Sequence, residues 1–214
     1  MLRFHELYLL FCVPLLLLMI FILKLRKKSN VHIFFCGILF YYLIFVIKYT
    51  LFPIPINETY LSLVRPNSSF SDNINLLPLW TGKYFSIFTK EHILNIIMTI
   101  PFGFVINYVV NKQSFVKLVS SGIILGIIVE TIQLCISVSI KYPYRMIDVN
   151  DIIFNFTGVL IGYFIFKAVS FLFVKVVDLT NMEHNSFTQY VYSKSIPAGS
   201  GSSSGSRIRS DPLE

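Results

Sequence analysis

The chain has 214 residues, of which 55% are hydrophobic and only 14% charged, with a formal net charge of +7 and a mean hydropathy of +0.69. Soluble domains carry roughly 25% charged residues, so a soluble enzyme lacks its surface here, and disorder is excluded by the 21 Phe and 12 Tyr. The basic residues form no concentrated stripe, which argues against nucleic-acid binding and fits the loops that orient membrane proteins.

Five apolar runs approach the roughly 20 residues a spanning helix needs, so the expected fold is an all-α integral membrane bundle over residues 1–180. The first run, about Leu7–Leu23, contains Pro14 and stops at Lys24-Leu-Arg-Lys-Lys28. Its basic cluster follows the apolar stretch and no small-residue cleavage site succeeds it, so it reads as a retained helix rather than a signal peptide. The second run, about 32–52, ends at Pro53 and Pro55. Segment 54–92 follows, with Asn57, Asn67, Asn73, Asn75 and the single tryptophan, Trp80. A loop this long is usually functional or disordered. Its Leu76-Leu-Pro-Leu-Trp80 stretch suits a membrane surface or a cavity plug.

The third, fourth and fifth runs cover about 93–110, 118–140 and 152–174. Residues 181–197 form a C-terminal segment. From Ala198 to Glu214 the composition is that of a flexible linker, expected to be a tag remnant. Cys12, Cys36 and Cys135 all lie in apolar runs and read as small buried hydrophobes, not a disulfide framework.

Lys24, Arg26, Lys27 and Lys28 place the first loop in the cytoplasm. The N-terminus is then outside, segment 54–92 outside and the C-terminus inside. Counted with that loop, basic residues divide eight inside against seven outside, so only their concentration in the first loop orients the chain.

Of 11 acidic residues, Glu130 alone lies within a spanning run. A carboxylate at mid-helix costs on the order of 3 kcal/mol on insertion scales, so it faces the bundle or a wet cavity. Gln133 shares its helical face. The plainer alternative makes Glu130 a hydrogen-bonded packing residue. Further on, Asp148, Asp151, Asn155, Gly158 and Gly162 follow at spacings of three and four, one stripe along a helix. The acids suit a helix N-terminus, where Asp148 also fits an N-cap, and the glycines permit close helix contact. Arg145 suits either an aspartate partner or an anionic ligand held bidentately. The third run adds Asn95 near its start, then Pro101 and Gly103. A proline there frees a carbonyl that neighbours must satisfy. Glu130 lies about 15 Å below the outer end of its run at 1.5 Å per residue. Asn95, Gln133, Arg145, Asp148, Asp151 and Asn155 fall in the same half of the membrane, a candidate outward pocket.

These residues, in the order Asn95…Pro101-x-Gly103, Glu130-x-x-Gln133 and Arg145-x-x-Asp148-x-x-Asp151-x3-Asn155-x-x-Gly158-x3-Gly162, resemble the motifs of VanZ-like membrane proteins. Tyr49-Thr-Leu-Phe-Pro53 and Asn75-Leu-Leu-Pro78 resemble that family's upstream signatures, and the likeness spans roughly 40–175. Met98 and Leu79 stand where the family tends to have Phe. The resemblance implies a protein of the bacterial cell membrane linked to resistance against teicoplanin-type glycopeptides, and supplies no mechanism.

Three mechanisms stay open. One is an enzyme acting on a lipid-linked or cell-wall substrate, with Glu130 as general acid or base, Asp148 or Asp151 as its partner and Arg145 on a phosphate. The second is a binder that shields the antibiotic's target or captures its lipid tail, using Asn95, Gln133, Arg145 and Asn155. The third is a proton-coupled transporter using Glu130, although no internal repeat is visible. Outside the linker-like tail no Gly-x-Ser-x-Gly nucleophile motif occurs. The histidines are scattered and make no zinc site, while the carboxylates would suit Mg²⁺ or Ca²⁺. No cofactor or resident metal is expected. Membrane lipids, a lipid-linked cell-wall precursor or an antibiotic's lipid tail are the expected partners. Pro101, Gly103, Gly158 and Gly162 are expected to be structural.

Overall fold

The computed structural model describes residues 11–79, 89–110, 114–180 and 185–196. The start of the first predicted span, Trp80 and the linker-like tail 198–214 lie outside the described residues. Seven helices are described: α1 (Val13–Leu25), α2 (Asn30–Leu51), α3 (Glu58–Val64), α4 (Lys90–Val109), α5 (Phe115–Ser139), α6 (Val149–Thr180) and α7 (Ser186–Ser195). The fold is an all-α membrane bundle: α2, α4, α5 and α6 are long and apolar enough to cross a membrane, and α1 is a shorter apolar helix.

The long helices begin two or three residues before the predicted runs because polar caps start them. Ser29, Thr89 and Ser114 each accept the backbone N–H three residues on, satisfying an orphan donor of the first turn. Hydropathy does not register these residues. It also stops the last run at 174, whereas α6 continues through Lys175 and Asp178 to Thr180, about 48 Å at 1.5 Å per residue.

α4 and α6 run parallel and touch backbone to backbone. A Cβ on Gly103 would strike the Val159 carbonyl, one on Gly158 would meet Thr99 Oγ1 and the Ile96 carbonyl, and one on Gly162 would strike the Ile100 carbonyl. α5 runs antiparallel against α6, with Gly122 over Val159 and Gly126 over Ile152. α2 runs antiparallel to α4. The Tyr42 hydroxyl donates to the Met98 carbonyl at 2.6 Å, one turn before Pro101. The core joins Phe102, Ile106, Leu118 and Val159. At the end where α2 starts, Phe35, Tyr108, Phe166 and Val191 of α7 pack together. Ile124, Ile128, Phe164, Val169 and Leu172 stand exposed on α5 and α6, as lipid-facing residues do. Cys36 is buried, but Cys12 is half-buried and Cys135 exposed. The expectation of three buried cysteines therefore fails, since an apolar run in a bundle has a lipid face as well as a core face.

The segment between α2 and α4 is not the structureless loop its length suggests. After α3, Ile74–Asn75 (β1) pairs in parallel with Ile147–Asp148 (β2), Asn75 opposite Asp148. Arg65 donates to the Ile140 carbonyl through Nε and Nη2 at 3.1 and 2.8 Å, occupying the carbonyl of the residue that caps the end of α5. The segment is thus a strap across the end of the bundle where α2 and α5 finish and α4 and α6 begin. Leu76, Leu77 and Leu79 stand exposed beyond it, so they do not plug a cavity.

Candidate functional site

A cavity of about 800 Å³ opens at the strapped end, lined by the end of α2, the first turns of α4, Gln133 of α5, the 144–148 connection and Asp151 of α6. Chain direction explains the gathering. Two helices end and two begin here, so residues from four elements meet in one layer. Asn95, Gln133, Arg145, Asp148 and Asp151 line the cavity. Glu130 is buried just behind them, within hydrogen-bonding reach of the Asp151 carboxyl and the Asp148 backbone. Asn155 lies one turn deeper on α6, buried and away from the cavity wall, with its Oδ1 unpartnered among the described residues.

Asp148 is held on all sides. Its Oδ1 accepts the Asn75 side-chain amide at 3.0 Å and the Asn150 backbone N–H at 2.8 Å. The second bond is the N-cap contact that starts α6, so Asp148 is both cap and cavity residue. Asn75 Oδ1 in turn accepts the Leu77 N–H at 3.1 Å, and Asn150 Oδ1 accepts the Leu79 N–H at 2.7 Å. The Asn75-Leu-Leu-Pro78 signature is therefore the strap's clasp on β2 and α6.

His92 is the residue that sequence reasoning missed. It is 3% exposed, stacks on Phe154 with centroids 4.6 Å apart, and places Nε2 3.5 Å from both Asp148 Oδ2 and Asp151 Oδ1. Its Nδ1 accepts the Thr89 N–H at 3.4 Å, which assigns the ring proton to Nε2, facing the carboxylates. The signal was present as a stripe of His92, Asn95 and Thr99 at positions i, i+3 and i+7, one helical face.

Arg145 does not neutralise an aspartate. No carboxylate among the described residues lies within ion-pair distance of it; its Nη2 donates to the Phe52 carbonyl at 3.0 Å. The two carbonyls before Phe52 are also taken: Gln133 Nε2 donates to Thr50 O at 3.0 Å and the Tyr144 hydroxyl to Leu51 O at 3.3 Å. Three successive orphan carbonyls at the end of α2 thus receive side-chain donors, and a guanidinium suits the negative end of a helix. Burial raises the Tyr144 pKa against the opposing effect of Arg145, keeping the phenol a donor.

Besides Asn155 Oδ1, the oxygens Glu130 Oε2, Gln133 Oε1 and Asp151 Oδ1 are buried without a hydrogen bond among the described residues, although Asp151 Oδ1 faces His92 Nε2 at 3.5 Å. Asn95 is within hydrogen-bonding reach of Asp151. No group of three or more His, Cys, Asp or Glu side chains among the described residues is arranged to hold a metal ion. Chemically, the arrangement can receive hydrogen-bond donors or a cation, and can hold a proton among its carboxyls and His92.

A family model described as VanZ/LLP1 matches residues 39–173. No curated protein and no solved structure matches the chain. The matched stretch contains every cavity-lining residue, the clasp at Asn75 and the glycine contact between α4 and α6, and with well over half of the sequence covered, the chain belongs to the VanZ-like family.

Proposed function

We propose that this protein lowers susceptibility to teicoplanin-type glycopeptide and lipoglycopeptide antibiotics by binding a cell-envelope component in the cavity at the strapped end. The reading places the protein in the bacterial plasma membrane with that end outward, the N-terminus outside and the C-terminus in the cytoplasm. What carries it is that the family-matched region folds around a polar cavity with Gln133 and Asp151 on its wall and Glu130 buried behind them. The ligand is a membrane lipid, a lipid-linked cell-wall precursor or the antibiotic's own lipid tail. Expression in a susceptible Gram-positive host should raise the teicoplanin concentration that stops growth. An unchanged value, with the protein verified in the membrane, removes the reading.

A catalytic version is favoured by the contact between Glu130 and Asp151 with His92 alongside, a set able to hold and move a proton. Glu130→Gln and Glu130→Asp separate the two. A step needing an accurately placed acid fails in both variants, since a shift of about 1 Å can cost on the order of 100-fold. Binding by charge is lost in Gln and largely kept in Asp.

A further inference from the structure

We infer that the cavity takes the head of a membrane amphiphile carrying a primary ammonium and a phosphate, admitted sideways from the bilayer between α2 and α4. The inference rests on the cavity being the functional site and specifies what fills it.

The α5–α6 side of the cavity is rich in acceptors, with Gln133 and Asp151 on the wall and Glu130 buried behind them. Glu130 and Gln133 share one face of α5, and Glu130 meets Asp151 across the α5–α6 contact. Each of the three has a buried oxygen without a hydrogen bond among the described residues, that of Asp151 standing 3.5 Å from His92 Nε2. Two carboxyl groups in contact are held together by a proton or a cation between them. A third orphan acceptor beside them, the Gln133 amide oxygen, gains nothing from a proton shared by the carboxyls. A primary ammonium carries N–H donors and no acceptor, which suits an acceptor-rich wall backed by two carboxyls in contact. Gln133 is 7% exposed and lines the cavity, and its amide nitrogen is already committed to Thr50, so its buried oxygen is the end left for a donor.

Arg145 supplies the opposite charge. One Nη2–H serves Phe52, while its other guanidinium N–H groups have no acceptor among the described residues. It lines the same cavity three residues before Asp148. An ammonium at the acids with a phosphate at Arg145 pairs both charges of a zwitterionic head.

The remaining wall is apolar and open. Tyr49, Leu94 and Ile97 line the cavity, yet they are 62%, 51% and 58% exposed on helices long enough to span a membrane. In a bilayer those surfaces face acyl chains, so a ligand's chains remain in lipid while its head enters. A free, water-borne amine uses no such wall.

The test titrates detergent-solubilised protein with dihexanoyl-phosphatidylethanolamine, its phosphatidylcholine and phosphatidylglycerol counterparts, and phosphoethanolamine without chains, read by thermal shift. The ethanolamine lipid should bind at least about tenfold tighter than the other three, as expected when charge-assisted hydrogen bonds are lost. The choline lipid keeps the charge but has no N–H donor, and the glycerol lipid has no cation. Glu130→Gln and Asp151→Asn should each abolish the preference, and Gln133→Met stands in if either fails to fold. Lys117→Ala, exposed at the far end, should leave it intact. Equal binding of the three lipids, a preference that survives these variants, or phosphoethanolamine binding as tightly as the lipid overturns the inference. Resistance without lipid preference sinks this inference alone; lipid preference without resistance sinks only the proposed function.

Discussion

At the scale of single residues, the chain spends its buried polar groups on one another. Asn75 shows this best, because its amide donates to Asp148 while its carbonyl oxygen caps Leu77. Asn75→Ala removes both bonds and leaves a buried carboxylate short of a donor, a loss of about 1–3 kcal/mol. The variant should melt several degrees lower and expose the strap to faster proteolysis between Pro53 and Asn73. An unchanged midpoint would mean that the clasp contributes nothing. Asn75→Asp should be worse, since it sets a second carboxylate against Asp148. Arg145 belongs to the same pattern. Pairing it with Asp148 was reasonable from a spacing of three, but the orphan carbonyls of α2 come from nearly a hundred positions earlier and outcompete the neighbour.

At the scale of elements, the α4–α6 pair is held by close approach rather than by large side chains. Gly158 abuts both a side-chain oxygen and a backbone carbonyl of α4, and the carbonyl cannot retreat without moving a helix. Gly158→Ala should therefore cost at least the roughly 1–3 kcal/mol typical of overpacking, read as a lower melting temperature in detergent. Gly37→Ala is the matched control. Nothing lies within 4 Å of a Cβ at Gly37, so helix propensity should leave it neutral or stabilised by up to about 1 kcal/mol. Equal effects at the two glycines would place α4 and α6 farther apart than the structure does. The glycine stripe was legible because its spacing is local and helical. The β1–β2 ladder was not, since two residues of strand carry no periodicity.

At the scale of the whole molecule, α2, α4, α5 and α6 alternate in direction, so both the strap and the α5–α6 connection lie at one end and α7 packs at the other. On the proposed orientation, with the basic cluster at Lys24–Lys28 in the cytoplasm, the strapped end is outside. With the native cysteines replaced, Asn67→Cys or Lys141→Cys should react with an impermeant thiol reagent on intact cells and Lys28→Cys should not. The reverse pattern turns the cavity inward. By itself the sequence determined the membrane class, the long helices and the half of the bundle in which the costly polar groups lie. Burial in lipid leaves a signal of composition and length in each segment, and 1.5 Å per residue converts it to depth. Only the tertiary structure decided which polar groups meet. His92 against two aspartates, Asn75 on Asp148 and Arg145 on the end of α2 are contacts between segments far apart in the chain. Their partners are chosen by how the helices cross and by which buried donors and acceptors remain to be satisfied, and no local spacing records that choice.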